Sequence, residues 1–366
     1  MRYRLAHDLT SYNLPRAFAF RKDVAGEDQQ LIVQRLIDYF FYMKGEVERL
    51  NVPALSGIWS HFSRTFSTFE GTLNSRDVAA VSDALLAVCT TPLVSGFASY
   101  HQYDSLARDP RSRMFESYLT IDRMLCLGEA IGAAARQCPF QIHKSYHDLD
   151  LNALYANVKK RLPFDMRPPT AGGGAFGLNT GDGVISISDI LAMYVAQRID
   201  RLLTDRADKS VCEIGGGTGT LAFYLTKTCA SRISVGDLPI VSILQGYYLM
   251  KSAGPENVRL AGEPSGDQRV HIMPYWELDD LPAKSVELFV NVDSLPEIDL
   301  DIAEHYMGLI KRVGRSFLSI NQESGFAGQG VVRNLAEKSG GFREVNRFPY
   351  WMIEGYCEEL FDTASS

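Results

Sequence analysis

From Ser210 onward the chain is a series of short apolar runs separated by longer stretches with helical spacing. Ser210-Val211-Cys212, Arg232–Asp237, Val270-His271-Ile272-Met273, Val286–Val292 and Ser316–Ile320 are short, mostly apolar and bounded by polar or turn-forming residues. That pattern predicts buried strands. Leu221–Lys227 and Ile240–Ala253 read as helices between them. Strands alternating with helices imply right-handed βαβ crossovers and a parallel sheet, so the fold class is α/β and Rossmann-like. Ligands in such sheets sit beyond the carboxyl ends of the strands. Here those ends carry Glu213, Asp237, Pro274-Tyr275-Trp276, Asn291-Val292-Asp293-Ser294 and Asn321-Gln322-Glu323. Polar and aromatic side chains thus collect along one sheet edge.

The first part of the chain has a different rhythm. Leu31–Leu50 places Leu31, Ile32, Leu36, Ile37, Phe40, Met43, Val47 and Leu50 at near-helical intervals. Ser75 reads as the N-cap of a helix through Val88, with Asp77 in its first turn. Glu116–Gly132 and Leu149–Leu162 are further helical stretches. Residues 1–162 are therefore expected to form a mostly helical domain. His143 and His147 are four apart, as metal ligands on one helix face would be, but no third ligand lies nearby, so they read as exposed or packing histidines and no metal site is expected. Residues 163–187 hold Pro168-Pro169, Gly172-Gly173-Gly174 and Asn179-Thr180-Gly181-Asp182-Gly183, which suit either a flexible linker or a lid. A helix capped by Ser188 and Asp189 then runs to about Leu203 and opens the second domain, 188–366.

The strand at Val211 ends in Glu213-Ile214-Gly215-Gly216-Gly217-Thr218-Gly219. A glycine turn between strand and helix lets backbone N–H groups approach a nucleotide-like ligand closely, because glycine carries no Cβ. A dinucleotide fingerprint would need a small residue where Thr220 stands, which disfavours an NAD-dependent oxidoreductase. The arrangement E-x-G-x-G-x-G resembles the first motif of class I S-adenosylmethionine (SAM) dependent methyltransferases. Asp237 follows at the end of the next strand, where a carboxylate accepts hydrogen bonds from ribose hydroxyls. EIGGGTG, GDLPIVSILQGYYL, NVDSLPEID, SINQES and FPYWMIEGYCEELF together resemble the sugar O-methyltransferase family of bacterial polysaccharide and natural-product clusters, over roughly Gly172 to Phe361.

That resemblance implies a class I methyltransferase sheet, SAM as cofactor and a hydroxylated, sugar-like small-molecule acceptor. N- or C-methylation of a natural-product intermediate, and nucleotide binding without activity, are the alternatives. Glu213, Gly215, Gly216, Gly217, Gly219, Asp237, Leu238, Tyr275, Trp276 and Asn291 are the expected cofactor contacts. An alcohol needs a general base, and Asp293, Glu297, His305 and Glu323 follow the fourth and fifth strands. His305 is the leading choice, because imidazole titrates near neutrality. Asp293 with Glu323 is also the pair that would hold a divalent cation, although the paired aspartates of metal-dependent relatives are replaced here by Asn321-Gln322-Glu323.

Composition narrows the setting. A net charge of −7, with no Lys/Arg stripe, argues against a nucleic-acid partner. The 6 cysteines lack C-x-x-C spacing, so reduced thiols in a cytoplasmic protein are expected. The first residues lack the apolar core of a signal peptide, and no apolar stretch is long enough to span a membrane. A homo-oligomer is left open.

Overall fold

The computed structural model describes residues 17–51, 63–94, 103–136, 149–323 and 331–363; His143 and His147 lie outside the described residues. Strand β1 (Phe18–Phe20) leads to helix α1 (Gln29–Leu50), which buries Ile32, Val33, Leu36, Ile37 and Met43. Helix α2 (Ser63–Asn74) is followed by α3 (Val78–Leu86). The cap of α3 is Asp77 and not Ser75: Asp77 Oδ1 accepts from Ala79 N at 2.9 Å and Ala80 N at 3.1 Å. Ser75 is occupied in ending α2, its hydroxyl donating to Thr72 O at 2.7 Å. Helices α4 (Tyr103–Arg108), α5 (Pro110–Ala130) and α6 (Leu151–Arg161) follow. Every residue of α5 from Glu116 to Gly128 is buried, so this helix lies inside the molecule.

The stretch expected to be a linker or lid contains a hairpin, β2 (Phe176–Thr180) and β3 (Gly183–Ser186). β1 adds to β2, with Phe18 opposite Leu178, to make a three-stranded antiparallel sheet. A Cβ at Gly177 would stand 2.0 Å from Ile185 O, so the hairpin closes only around glycine. The cap of helix α7 (Ile187–Leu203) lies two residues before the expected Ser188. Ser186 is the N-cap, in a capping box with Asp189: Ser186 N donates to Asp189 Oδ2 at 2.8 Å and Asp189 N to Ser186 Oγ at 3.3 Å. The same carboxylate receives Arg21 Nη2 at 2.5 Å, a buried ion pair that ties the chain beside β1 to α7.

The large sheet begins with β4 (Ser210–Ile214), helix α8 (Thr220–Leu225), β5 (Arg232–Asp237) and helix α9 (Pro239–Ala253). It continues through β6 (Val258–Leu260), β7 (Val270–Pro274), β8 (Val286–Val292), helix α10 (Leu300–Val313) and β9 (Gly314–Gln322). Helix α11 (Val332–Ser339), β10 (Phe342–Pro349) and β11 (Tyr356–Thr363) complete it. The strand order is β10-β11-β9-β8-β4-β5-β7-β6. Neighbours from β6 to β9 pair in parallel, whereas β11 is antiparallel to both β9 and β10. This is the Rossmann-like α/β sheet expected from the alternation of strands and helices, with a mostly helical region before it. No described helix is long and apolar enough to cross a membrane.

One hydrophobic core runs through both parts of the chain. α1 lies on α9, and Arg35 fixes it there by donating to Glu263 (Nε 2.7 Å, Nη2 2.7 Å) and to the carbonyls of Pro255 and Val258, both at 2.7 Å. Tyr247 donates to Asp23 at 2.9 Å, and Lys251 reaches the same carboxylate at 3.2 Å. Ile32, Val33, Leu36 and Ile37 are each no more than 1% exposed. Each such side chain contributes about 1.5–3 kcal/mol by burial. Deleting residues 1–162 should therefore expose the faces of α7 and α9 and yield an aggregated fragment. A soluble fragment with a cooperative melting transition would show that the sheet region stands alone.

Candidate functional site

The turn after β4 is built by glycine. Gly215, Gly217 and Gly219 have φ of +72°, +55° and +86°, a region that side chains with a Cβ rarely enter. Gly215 also has no room for a side chain, since a Cβ would meet Ser294 Oγ at 2.3 Å. Gly219 caps α8, whose opening Thr220 shares a buried hydroxyl contact with Thr218 at 2.9 Å and donates to Tyr248 OH at 3.3 Å.

Two carboxylates flank this turn. Asp237 accepts from Leu238 N at 2.8 Å and from Gln245 Nε2 at 2.7 Å, yet burial lifts its pKa to about 7. Glu213 is buried against Val235 and Gly216, and burial, reinforced by the charge of Asp237, pushes it up to about 8. Glu213 Oε2 and Gln245 Oε1 are buried with no donor, and Trp276 Nε1 is buried with no acceptor. Unpaired buried polar atoms cost about 1–3 kcal/mol each. A ligand donor would satisfy Glu213 or Gln245, and a ligand acceptor would satisfy Trp276. Gln245 was not singled out from the sequence; its place eight residues after Asp237, two helical turns into α9, is the signal that finds it.

Tyr275 and Trp276 follow β7, as expected, and pack edge to face at 5.1 Å; Tyr275 is half-buried, leaving ring surface toward solvent. Leu238 takes part through its backbone N–H. Asn291 is a correction. It is fully buried, and its amide is saturated by protein: Nδ2 donates to Ile214 O at 2.9 Å and Ser294 Oγ at 2.5 Å. Its Oδ1 accepts from Leu295 N at 3.1 Å and Asn321 Nδ2 at 3.0 Å. With no hydrogen-bonding capacity left for a cofactor, Asn291 is a clip that joins the loop after β8 to the glycine turn and to β9.

Beyond that clip the chain turns sharply. Asp293 adopts a left-handed φ of +56° and its N–H donates to Ile320 O at 3.0 Å. Its carboxylate accepts from Tyr356 OH at 2.7 Å, while burial raises its pKa. Glu297 ends the 3₁₀ turn Leu295–Glu297; burial, and then the charge of Asp293, lift it to about 7. A carboxylate poised near neutrality beside a second carboxylate is suited to taking up a proton.

The other two expected bases have partners of their own. His305 lies on the outer face of α10, its side chain 57% exposed, with Nε2 3.0 Å from Asp279. The helical period explains it: Ala303, Tyr306, Met307 and Ile310 point inward, and His305 falls between them. Glu323 extends past β9 and pairs with Arg347 on β10. Asp293 and Glu323 thus engage different partners, Tyr356 and Arg347. Among the described residues no group of three or more His, Cys, Asp or Glu side chains is placed to hold a metal.

No model of a known protein family matches the chain, and no curated protein matches it in sequence. Among solved structures it is similar to the mitomycin 7-O-methyltransferase MmcR, with 12% identity and a TM-score of 0.36, over 49% of this chain and 57% of that one. It is also similar to a SAM dependent methyltransferase from Aquifex aeolicus, with 15% identity and a TM-score of 0.34, over 46% of this chain and 89% of that one. The SAM-dependent methyltransferase SibL gives 12% identity and a TM-score of 0.34, over 50% of this chain and 60% of that one.

Proposed function

We propose that this protein is a SAM-dependent O-methyltransferase whose acceptor is a hydroxyl of a sugar or glycosylated small molecule. The observation that carries the reading is the pair of buried, desolvated carboxylates, Glu213 and Asp237, around a glycine turn whose neighbouring acceptors lack donors. SAM, when bound, supplies an electrophilic methyl group on a sulfonium. Its ribose hydroxyls, ammonium and adenine are the donors, and its positive charge the counter-charge, that these residues lack. Asp237 would hold the ribose, Glu213 the charged end of the methionine, and Tyr275 with Trp276 the adenine.

The chain's own chemistry is then to place the acceptor and to remove its proton. An alcohol is a weak nucleophile until deprotonated, and Glu297, with a pKa near 7, is the base. Asp293 raises the basicity of Glu297 by like-charge repulsion. Tyr356 holds Asp293 in place by donating to it. A base of this kind favours a hydroxyl acceptor, because an amine accepts a methyl group before it loses its proton.

Calorimetry with S-adenosylhomocysteine tests the cofactor half. Asp237→Ala should weaken binding at least tenfold, since each hydrogen bond to the carboxylate is worth about 1.5–3 kcal/mol and about 1.4 kcal/mol is a decade. Unchanged affinity in that variant would remove Asp237 from the site, and no binding by the parent protein would overturn the reading.

A further inference from the structure

The end of α5, the second half of α7 and the turn region of β10 and β11 enclose a groove of about 640 Å³, within the size range of small-molecule sites. Arg136, Arg198 and Arg201 line it together with Glu129 and Glu358, and Tyr194, Phe348 and Trp351 supply aromatic surface. Arg198 is neutralised within the protein: it grips Glu358 through Nε at 2.8 Å and Nη2 at 2.7 Å. Tyr194 donates to the same carboxylate at 3.2 Å. Arg201 instead donates to the neutral side chain of Gln197, Nε at 2.5 Å and Nη2 at 2.8 Å, in the amide orientation that satisfies both groups. Arg136 lies over the Trp351 ring, 5.0 Å from its centroid. Among the described residues neither Arg136 nor Arg201 has a carboxylate partner, so the groove holds two guanidiniums without fixed counter-charge.

The groove is joined to the carboxylate pair by a line of rings. Tyr194 meets Tyr350 edge-on at 5.5 Å, Tyr350 lies 6.4 Å from Tyr356, and Tyr356 donates to Asp293 at 2.7 Å. Trp351 is held by donating from Nε1 to Cys126 O at 2.9 Å, which keeps the β10–β11 turn against α5 and the groove open between them. Phe348, at the lip, is 50% exposed.

Guanidiniums present forked N–H donors that match phosphoryl oxygens, and two of them from different elements offer more donors than one carboxylate can accept. We propose that this groove binds the phosphorylated end of the acceptor, with Arg136 and Arg201 on the phosphoryl oxygens, while the hydroxyl to be methylated reaches Glu297. The inference rests on the methyl-transfer reading for what the phosphate is attached to; anion binding in the groove stands or falls by itself.

Calorimetry on the full chain with inorganic pyrophosphate, uridine diphosphate and glucuronate separates the sources of negative charge. Pyrophosphate and uridine diphosphate should bind, with glucuronate weaker by tenfold or more. Arg201→Ala and Arg136→Ala should each weaken both phosphate ligands at least tenfold while S-adenosylhomocysteine affinity stays at the parent value. If Phe348→Ala weakens uridine diphosphate alone, the base stacks at the lip and a nucleoside is part of the acceptor. If it weakens neither, the phosphate is the whole recognition element, and the proposal stands in that form. Absence of phosphate binding, preference for glucuronate, or binding indifferent to both arginine substitutions overturns it. With S-adenosylhomocysteine still bound in those cases, the methyl-transfer reading survives; loss of that ligand in the parent protein removes the reading instead.

Discussion

Glu297→Gln is expected to lower turnover by about 10²–10⁴-fold, the usual contribution of a positioned base, and to leave S-adenosylhomocysteine affinity near the parent value. The amide keeps the size of the side chain and cannot take up the proton. The parent enzyme should lose activity as pH falls through about 7, because Glu297 is a base only when ionised and its raised pKa keeps it protonated below that point. Asp293→Asn should move this acid limb to lower pH, since the like charge that helps raise Glu297 is gone. A profile of kcat/KM against pH in both proteins checks the assignment. An unmoved limb in Asp293→Asn, with full turnover in Glu297→Gln, would place the base elsewhere. His305→Ala is the internal control: an exposed residue paired with Asp279 should change turnover little.

The second large effect concerns stability. Asn291→Leu should destabilise the fold by about 1–3 kcal/mol, because it leaves the buried Leu295 N–H without its acceptor, the usual cost of one orphaned group, and strips Ile214 C=O and the Asn321 amide down to Ser294 and Ser319 as remaining side-chain partners. The urea midpoint should fall accordingly. Cofactor affinity should fall with it, since the clip positions Ser294 against Gly215. Weakened affinity with an unchanged midpoint would return Asn291 to the role of a direct cofactor contact.

These two predictions also mark where the sequence could be read and where it could not. The strands from Ser210 to Ile320 and the glycine turn are legible because each is a local pattern: an apolar run, a forced backbone, a helix start. Asn291 and Asp293 both stand at the end of one strand and look alike as polar endings. What separates them is that Asn291 faces Asn321 across the sheet, a partner 30 positions away, while Asp293 turns toward Tyr356, which is 63 positions away. The β1–β2–β3 sheet was hidden for the same reason. Phe18 and Leu178 pair across the whole helical region, and the glycines that permit the hairpin look in sequence like those of a linker. Ser75 and Ser188 fail as caps because a carboxylate or serine two residues away, Asp77 or Ser186, meets the free N–H groups instead. His305 had the right chemistry and the wrong helical phase.

The position of β11 between β9 and β10 has a consequence for how the chain comes off the ribosome. Strands cannot be added to this edge in the order in which they are made, because β10 emerges first and has nothing to pair with until β11 arrives. Until then β9 offers an open row of backbone donors and acceptors, the surface on which unfinished chains associate. Tyr356, the first residue of β11, is also the group that holds Asp293. A nascent chain stalled before that strand is thus adhesive and catalytically unset at once, and one late pairing event ends both conditions.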